Sequence, residues 1–135
     1  MELKQLFNQI TMKYKRKDNE PPLATGEWGW RFHHIGIPTS EKHDREEYLP
    51  KLKLYVTGFE DSPFGVEWMR FEPGSKVHEL ISKVAHVAFE VKDIEKEISE
   101  KNLEIISGPD SPSEGIRVVF IEHNGAPVEL IQFQS

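Results

Sequence analysis

The sequence predicts an α+β fold in which one strand-and-helix pattern occurs twice within 135 residues. Three observations carry this. Two strands open with histidine and then alternate bulky and small residues: His33-His34-Ile35-Gly36-Ile37-Pro38-Thr39, and Ala85-His86-Val87-Ala88-Phe89-Glu90-Val91. Similar turn segments follow each, Ser62-Pro63-Phe64-Gly65-Val66 against Ser111-Pro112-Ser113-Glu114-Gly115-Ile116. Each repeat also holds, in a later strand, a single glutamate among apolar neighbours, Glu67 in the first and Glu129 in the second. Recurrence in the same order marks an internal repeat.

Composition bounds the function before any motif is weighed. A chain of this length buries a core of its own, and 37 % hydrophobic with 30 % charged residues is ordinary for a soluble globular protein. The net charge of −6 argues against nucleic acid as the main partner. The basic run Lys13, Lys15, Arg16, Lys17 meets Asp18 and Glu20 at once, as a solvated helix end does. The absence of cysteine excludes disulfides, thiolate zinc sites and a cysteine nucleophile. Any metal is left to His, Asp and Glu. No stretch reaches the ~20 apolar residues of a membrane span, and no secretion signal is evident at the N-terminus. The expected location is the cytoplasm.

Taken in order, residues 2–16 place Leu3, Leu6, Phe7 and Ile10 at helical spacing and predict an amphipathic helix. Pro21-Pro22 and Gly26-Glu27-Trp28-Gly29-Trp30 then break regularity, with the tryptophans expected to anchor this loop onto a core rather than to wall a substrate site. Residues 1–30 are thus an extension, and 31–134 the main domain, with one repeat over about 31–75 and the other over about 84–134. A strand covers Arg31 to Pro38, followed by a short acidic turn capped by Ser40 and ended by Pro50. Strands follow over Lys53–Val56 and Val66–Phe71, and a short linking helix over 76–83. After the His86 strand, Asp93 caps a helix through about Lys101, with Ile94 and Ile98 inward and Glu97 four residues before Lys101. Leu103–Ile106 is a strand, Gly108–Pro112 a loop and Ile116–Ile121 a strand. Asn124-Gly125 is a hairpin turn into the last strand, Pro127–Phe133. The first repeat has one strand fewer than the second, or a compressed one.

The chemistry follows from strand parity. His34 and Gly36 share one face of their strand, and His86 and Ala88 one face of theirs, so each histidine stands over small residues, as at a cavity. The span from His34 to Glu67 is shorter than that from His86 to Glu129 by about ten residues, the length of a strand with its turn. If sheet curvature brings each first strand beside its last, the two His/Glu pairs meet. Two imidazoles and two carboxylates suit zinc, nickel, cobalt, manganese or ferrous iron better than calcium or copper. Blander readings stay open. His34 can be bonded to backbone, Glu129 can pair with Arg117 on the neighbouring strand, and Glu67 can be neutralised by Arg70 or Arg31, with Glu72 as a rival carboxylate. By parity His33 points to the opposite face and is structural, while His78 and His123 read as surface.

The segments His33-His34-Ile35-Gly36-Ile37, His86-Val87-Ala88-Phe89-Glu90-Val91 with Asp93-Ile94, Gly115-Ile116-Arg117-Val118-Val119-Phe120 and Pro127-Val128-Glu129-Leu130-Ile131 together resemble the vicinal oxygen chelate superfamily, which includes glyoxalase I, methylmalonyl-CoA epimerase and extradiol dioxygenases. The resemblance spans about residues 31 to 134. It implies two βαβββ modules, the first shortened, forming a cupped mixed sheet around a divalent metal. The ligand positions fall on His34, Glu67, His86 and Glu129, with Glu67 or Glu129 also in reach of catalytic proton transfer on a small substrate with vicinal oxygens. Pairing as a homodimer is common in that superfamily. Some relatives bind small molecules without metal or chemistry, so sequestration of a drug or metabolite is the alternative. A partner-binding role for the 2–16 helix is a third.

Overall fold

The histidine-led strands sit side by side at the centre of one eight-stranded sheet. The computed structural model describes residues 2, 3 and 15–134, so the helix expected over 2–16 lies, but for its ends, outside the described residues. A single turn of helix, α1 (Leu23–Gly26), precedes β1 (Arg31–Pro38), β2 (Glu47–Leu49), β3 (Leu54–Thr57) and β4 (Val66–Phe71). The chain continues through α2 (Glu79–Lys83), β5 (His86–Glu90), α3 (Ile94–Lys101), β6 (Glu104–Ser113), β7 (Ile116–His123) and β8 (Ala126–Phe133). The strand order is β2-β3-β4-β1-β5-β8-β7-β6. Each half pairs its first and last strands in parallel, β1 with β4 and β5 with β8. The halves join through the antiparallel β1–β5 pair. The order therefore reads the same outward from the centre in both directions, and the sheet curls into a cup.

The second half follows the sequence pattern closely. Asp93 caps α3 by accepting from the Lys96 N–H at 3.1 Å, and Asn102 ends it in the left-handed region with φ 48°. Ile94 and Ile98 drop onto the outer face of the sheet, where Trp30, Val91, Ile94, Val119 and Leu130 form the core cluster. Trp30 is buried and donates from Nε1 to Glu97 Oε1 at 2.8 Å, and Trp28 meets it edge-on at 5.1 Å. The tryptophans thus anchor the loop onto the core, as expected. The Asn124-Gly125 turn has φ of 49° and 83°, the two positive values of a tight hairpin.

Two expectations need correction. The first half keeps all its strands; what it lacks is the helix. Its supposedly missing strand is β2, inside the stretch expected to be a capped turn. The reason is chemical. Residues 39–46 read Thr-Ser-Glu-Lys-His-Asp-Arg-Glu, with no apolar stripe to hold a helix against the sheet. The segment instead lies over the outer face through polar contacts. Thr39, not Ser40, caps the turn by accepting from the Glu41 N–H. Glu46 accepts two hydrogen bonds from Arg70 at 2.8 and 2.7 Å, and the His43 ring stacks on Trp68. That bidentate pairing holds the Glu46 carboxyl at about 2.

The second correction concerns Gly108–Pro112, which is strand rather than loop. β6 continues to Ser113 by shifting register three times against β7. As the edge strand it tolerates Pro109, whose missing N–H no neighbour requires. Gly108 has φ 88°, and an added Cβ would come within 2.9 Å of the Val118 carbonyl oxygen.

Leu130 is fully buried beneath α3. Leu130→Ala is expected to cost about 3 kcal/mol through lost transfer energy and a residual cavity. Urea unfolding with an unchanged m-value measures it, and a cost below about 1 kcal/mol would contradict this account of the core.

Candidate metal centre

Strand register explains how residues far apart in sequence meet. On the cavity-lining face two rows cross the centre of the sheet. In one, His34 on β1 lies opposite Ala88 on β5, and Ala88 lies beside Glu129 on β8. In the other, Glu67 on β4 lies beside Gly36 on β1, and Gly36 opposite His86 on β5. Each row sets a small residue between a histidine and a glutamate. Neighbouring strands are spaced about 4.8 Å apart, so His34 and Glu129 can meet over Ala88, and His86 lies over Gly36 within reach of the same Glu129.

At Gly36 the space over the small residue is taken by the opposing histidine, which itself borders a cavity. A Cβ on Gly36 would lie 2.1 Å from His86 Cε1 and 2.7 Å from both ring nitrogens. Only glycine admits that imidazole. The ring also meets Phe120 edge-on at 5.1 Å.

His34 Nε2 stands 3.3 Å from Glu129 Oε1, and His86 Nε2 stands 3.2 Å from the same oxygen. Donor atoms of His34, His86 and Glu129 all lie within 4.8 Å of one another. Glu67 sits to one side of this group, its Oε1 3.8 Å from His34 Nε2. Both histidines are buried. All four residues border a cavity of about 720 Å³. Its walls include Leu54, Met69, Phe71 and Ile81 on one side and Ser107 and Asp110 on the other.

The two glutamates differ electrostatically. Burial pushes Glu129 up, but hydrogen bonds from His34 and His86 and their charges outweigh it and hold the carboxyl at about 2. Burial raises Glu67, with the Glu129 charge adding to it, and the histidines oppose this only in part. One carboxylate is kept ionised while the other is drawn toward its neutral form.

The donor set fits a divalent transition ion. It is nitrogen and oxygen only, it is buried, and it faces a cavity with room for further ligands. His86 Nδ1 is buried without a hydrogen-bond partner among the described residues. Arg117, Arg70 and Glu72 have partners elsewhere. Arg117 is paired with Glu95 at 2.5 Å, and it is Phe120 that faces Glu129 across the strand pair. Arg70 belongs to the outer face with Glu46, and Glu72 accepts from the Tyr48 hydroxyl at 2.5 Å. No tryptophan borders the cavity among the described residues, and His123 is exposed. His78 is exposed too, yet it caps α2 and reaches the cavity's border.

Sequence parity missed His33. Register shifts between Phe32 and His34, so His33 is the extra residue of a bulge. Its ring turns toward His34 instead of away, with the two Nδ1 atoms 2.7 Å apart. Burial, then the neighbouring His34 charge, lowers His33 below the usual histidine range. No local signal separates a bulge from a regular strand here.

This arrangement of paired four-stranded halves around one cup is the cupped mixed sheet expected from the sequence, and solved structures share it. A hypothetical protein from Bacillus halodurans C-125 shares it with a TM-score of 0.58 and 20 % identity, covering 78 % of this chain and 96 % of that one. Methylmalonyl-CoA epimerase from Mycobacterium tuberculosis matches with a TM-score of 0.54 and 14 % identity, covering 78 % of this chain and 89 % of its own. At such identities the likeness concerns the fold. No family model matches the sequence, and no curated protein matches it. Among the described residues no helix is long and apolar enough to cross a membrane.

Gly36→Ala tests the centre directly. The added methyl displaces the His86 imidazole while leaving the strand pairing intact. The expected outcome is a folded protein by circular dichroism whose affinity for zinc falls at least tenfold in a chelator competition. Unchanged affinity would show that His86 does not contribute.

Proposed function

We propose that this chain is a divalent-metal-dependent enzyme that moves a proton on a small substrate with vicinal oxygens, in a reaction of lyase, isomerase or epimerase type. The observation that carries this is the convergence of His34, His86 and Glu129 within 4.8 Å on the wall of the cavity, with Glu67 3.8 Å from His34. His34, His86 and Glu129 are the residues that would hold the ion. When bound, a divalent cation polarises the substrate oxygens as a Lewis acid and makes the adjacent C–H acidic.

The remaining work falls to the chain. Glu67 is the proton carrier: its oxygens face the cavity, its carboxyl is raised by burial, and it stands outside the tight ligand group. A base and a ligand must differ in proton affinity, and the environments of Glu67 and Glu129 push the two apart in that sense. Leu54, Met69 and Phe71 exclude water from the substrate's body, and Ser107 and Asp110 offer it hydrogen bonds from the opposite wall. The sequestration reading is weaker, because such a binder has no need of three convergent ligands and the tryptophans lie away from the cavity.

The test starts with metal content. Purified wild-type protein is expected to take up about one divalent ion per chain, and His86→Ala to lose it; a wild type that takes up none under any loading condition would sink the proposal. Glu67→Gln is expected to retain the metal while solvent deuterium exchange into 2-substituted acyl thioesters or 2-hydroxycarbonyl compounds falls by at least a hundredfold. Loss of metal in Glu67→Gln would instead make it a fourth ligand.

We also propose that the chain acts as a homodimer. Light scattering is expected to give twice the chain mass of 15.7 kDa, and a monomer mass across the micromolar range refutes it.

A further inference from the structure

We propose that His33 is a positioning residue for the metal ligand His34, holding that imidazole by its Nδ1 so that Nε2 faces Glu129 and the ion. The inference rests on the metal-centre reading above and adds a residue to it. The bulge in β1 places two adjacent imidazoles on the same side of the strand, ring centroids 5.0 Å apart, with a 2.7 Å contact between their Nδ1 atoms. A contact that short between two ring nitrogens is a hydrogen bond with one proton in it. Without an ion Nε2 of His34 carries the proton given to Glu129; with an ion bound, ligation through Nε2 would require a lone pair there, so the proton of the neutral ring would sit on Nδ1 and be donated to His33. His33 then accepts at Nδ1 and carries its own proton on Nε2.

The surroundings hold His33 in that role. Its ring stacks on Phe59 at 5.4 Å and 26°, and meets Phe133 at 5.7 Å and 39°. Phe59 also abuts His34 edge-on at 5.6 Å, so one aromatic ring restrains both imidazoles. The other half of the molecule supplies the contrast. The residue before His86 is Ala85, which has no group to offer, and His86 Nδ1 has no partner among the described residues. Close packing against Gly36 and Phe120 orients His86 instead. The two halves thus orient equivalent ligands by different means, one by a hydrogen bond and one by shape.

His33→Phe keeps the aromatic contact and removes the acceptor, whereas His33→Asn keeps an acceptor near the Nδ1 position. Zinc affinity by chelator competition, thermal unfolding of the metal-free proteins and imidazole ¹⁵N spectra of the zinc-loaded wild type are measured together. The expected result is a loss of zinc affinity of about 10- to 100-fold in His33→Phe, with most of it recovered in His33→Asn and similar metal-free unfolding in both. The ¹⁵N spectra are expected to show His34 protonated at Nδ1 and zinc-bound at Nε2. Wild-type affinity in His33→Phe overturns the proposal, as does a His33→Asn variant as weak as His33→Phe. If His33→Phe does not fold, coordination of His34 through Nδ1 in the wild type still overturns it. A wild type that binds no zinc at all overturns the metal reading itself, a result distinct from zinc binding that is indifferent to residue 33.

Discussion

The constraint on which the structure depends is the smallness of Gly36 and Ala88 at the middle of the β1–β5 pair. These residues are the centres of the two rows that set His86 and Glu67, and His34 and Glu129, on either side of a small residue. A larger side chain at either position would fill the space the imidazoles need. At Gly36 the exclusion is explicit, because an added Cβ would stand 2.1 Å from the His86 ring. Antiparallel pairing of β1 with β5 relates the two rows by an approximate two-fold, so one steric rule serves both halves.

Around this centre the halves diverge where the chemistry does not need them alike. The second half backs its sheet with an apolar helix, and Ile94, Val119 and Leu130 exclude water there completely. The first half backs its sheet with a polar segment held by the Glu46–Arg70 pair and by His43 on Trp68. Such polar contacts bury less apolar area than the helix packing of the second half. The first half supplies Glu67, His34 and the cavity's apolar wall.

The same divergence appears in the site. Glu129, enclosed by two imidazoles, stays ionised, whereas Glu67, buried with less compensation, is drawn toward protonation. A symmetric fold thereby yields two carboxylates suited to different tasks. His33 extends the asymmetry to the histidines, one bonded at its far nitrogen and one not.

The sequence alone determined the repeat and the bounds of β1, β4 and α3, and it singled out four residues that the structure brings to one cavity, His34, Glu67, His86 and Glu129, because strand parity and turn chemistry are local and survive in the order of residues. It also carried the α+β cupped fold, through segments whose resemblance to a superfamily is local too. It did not carry the helix missing from the first half, which follows from what residues 39–46 have nothing to pack with. Nor did it carry the run of β6 through Gly108 and Pro109, which only an edge position allows. Only the tertiary structure decided that Glu67 lies 3.8 Å from His34 while Glu129 lies 3.3 Å from it, and that His33 faces His34. Both depend on register between strands, and a one-residue bulge in β1 reverses the face that parity assigns to His33.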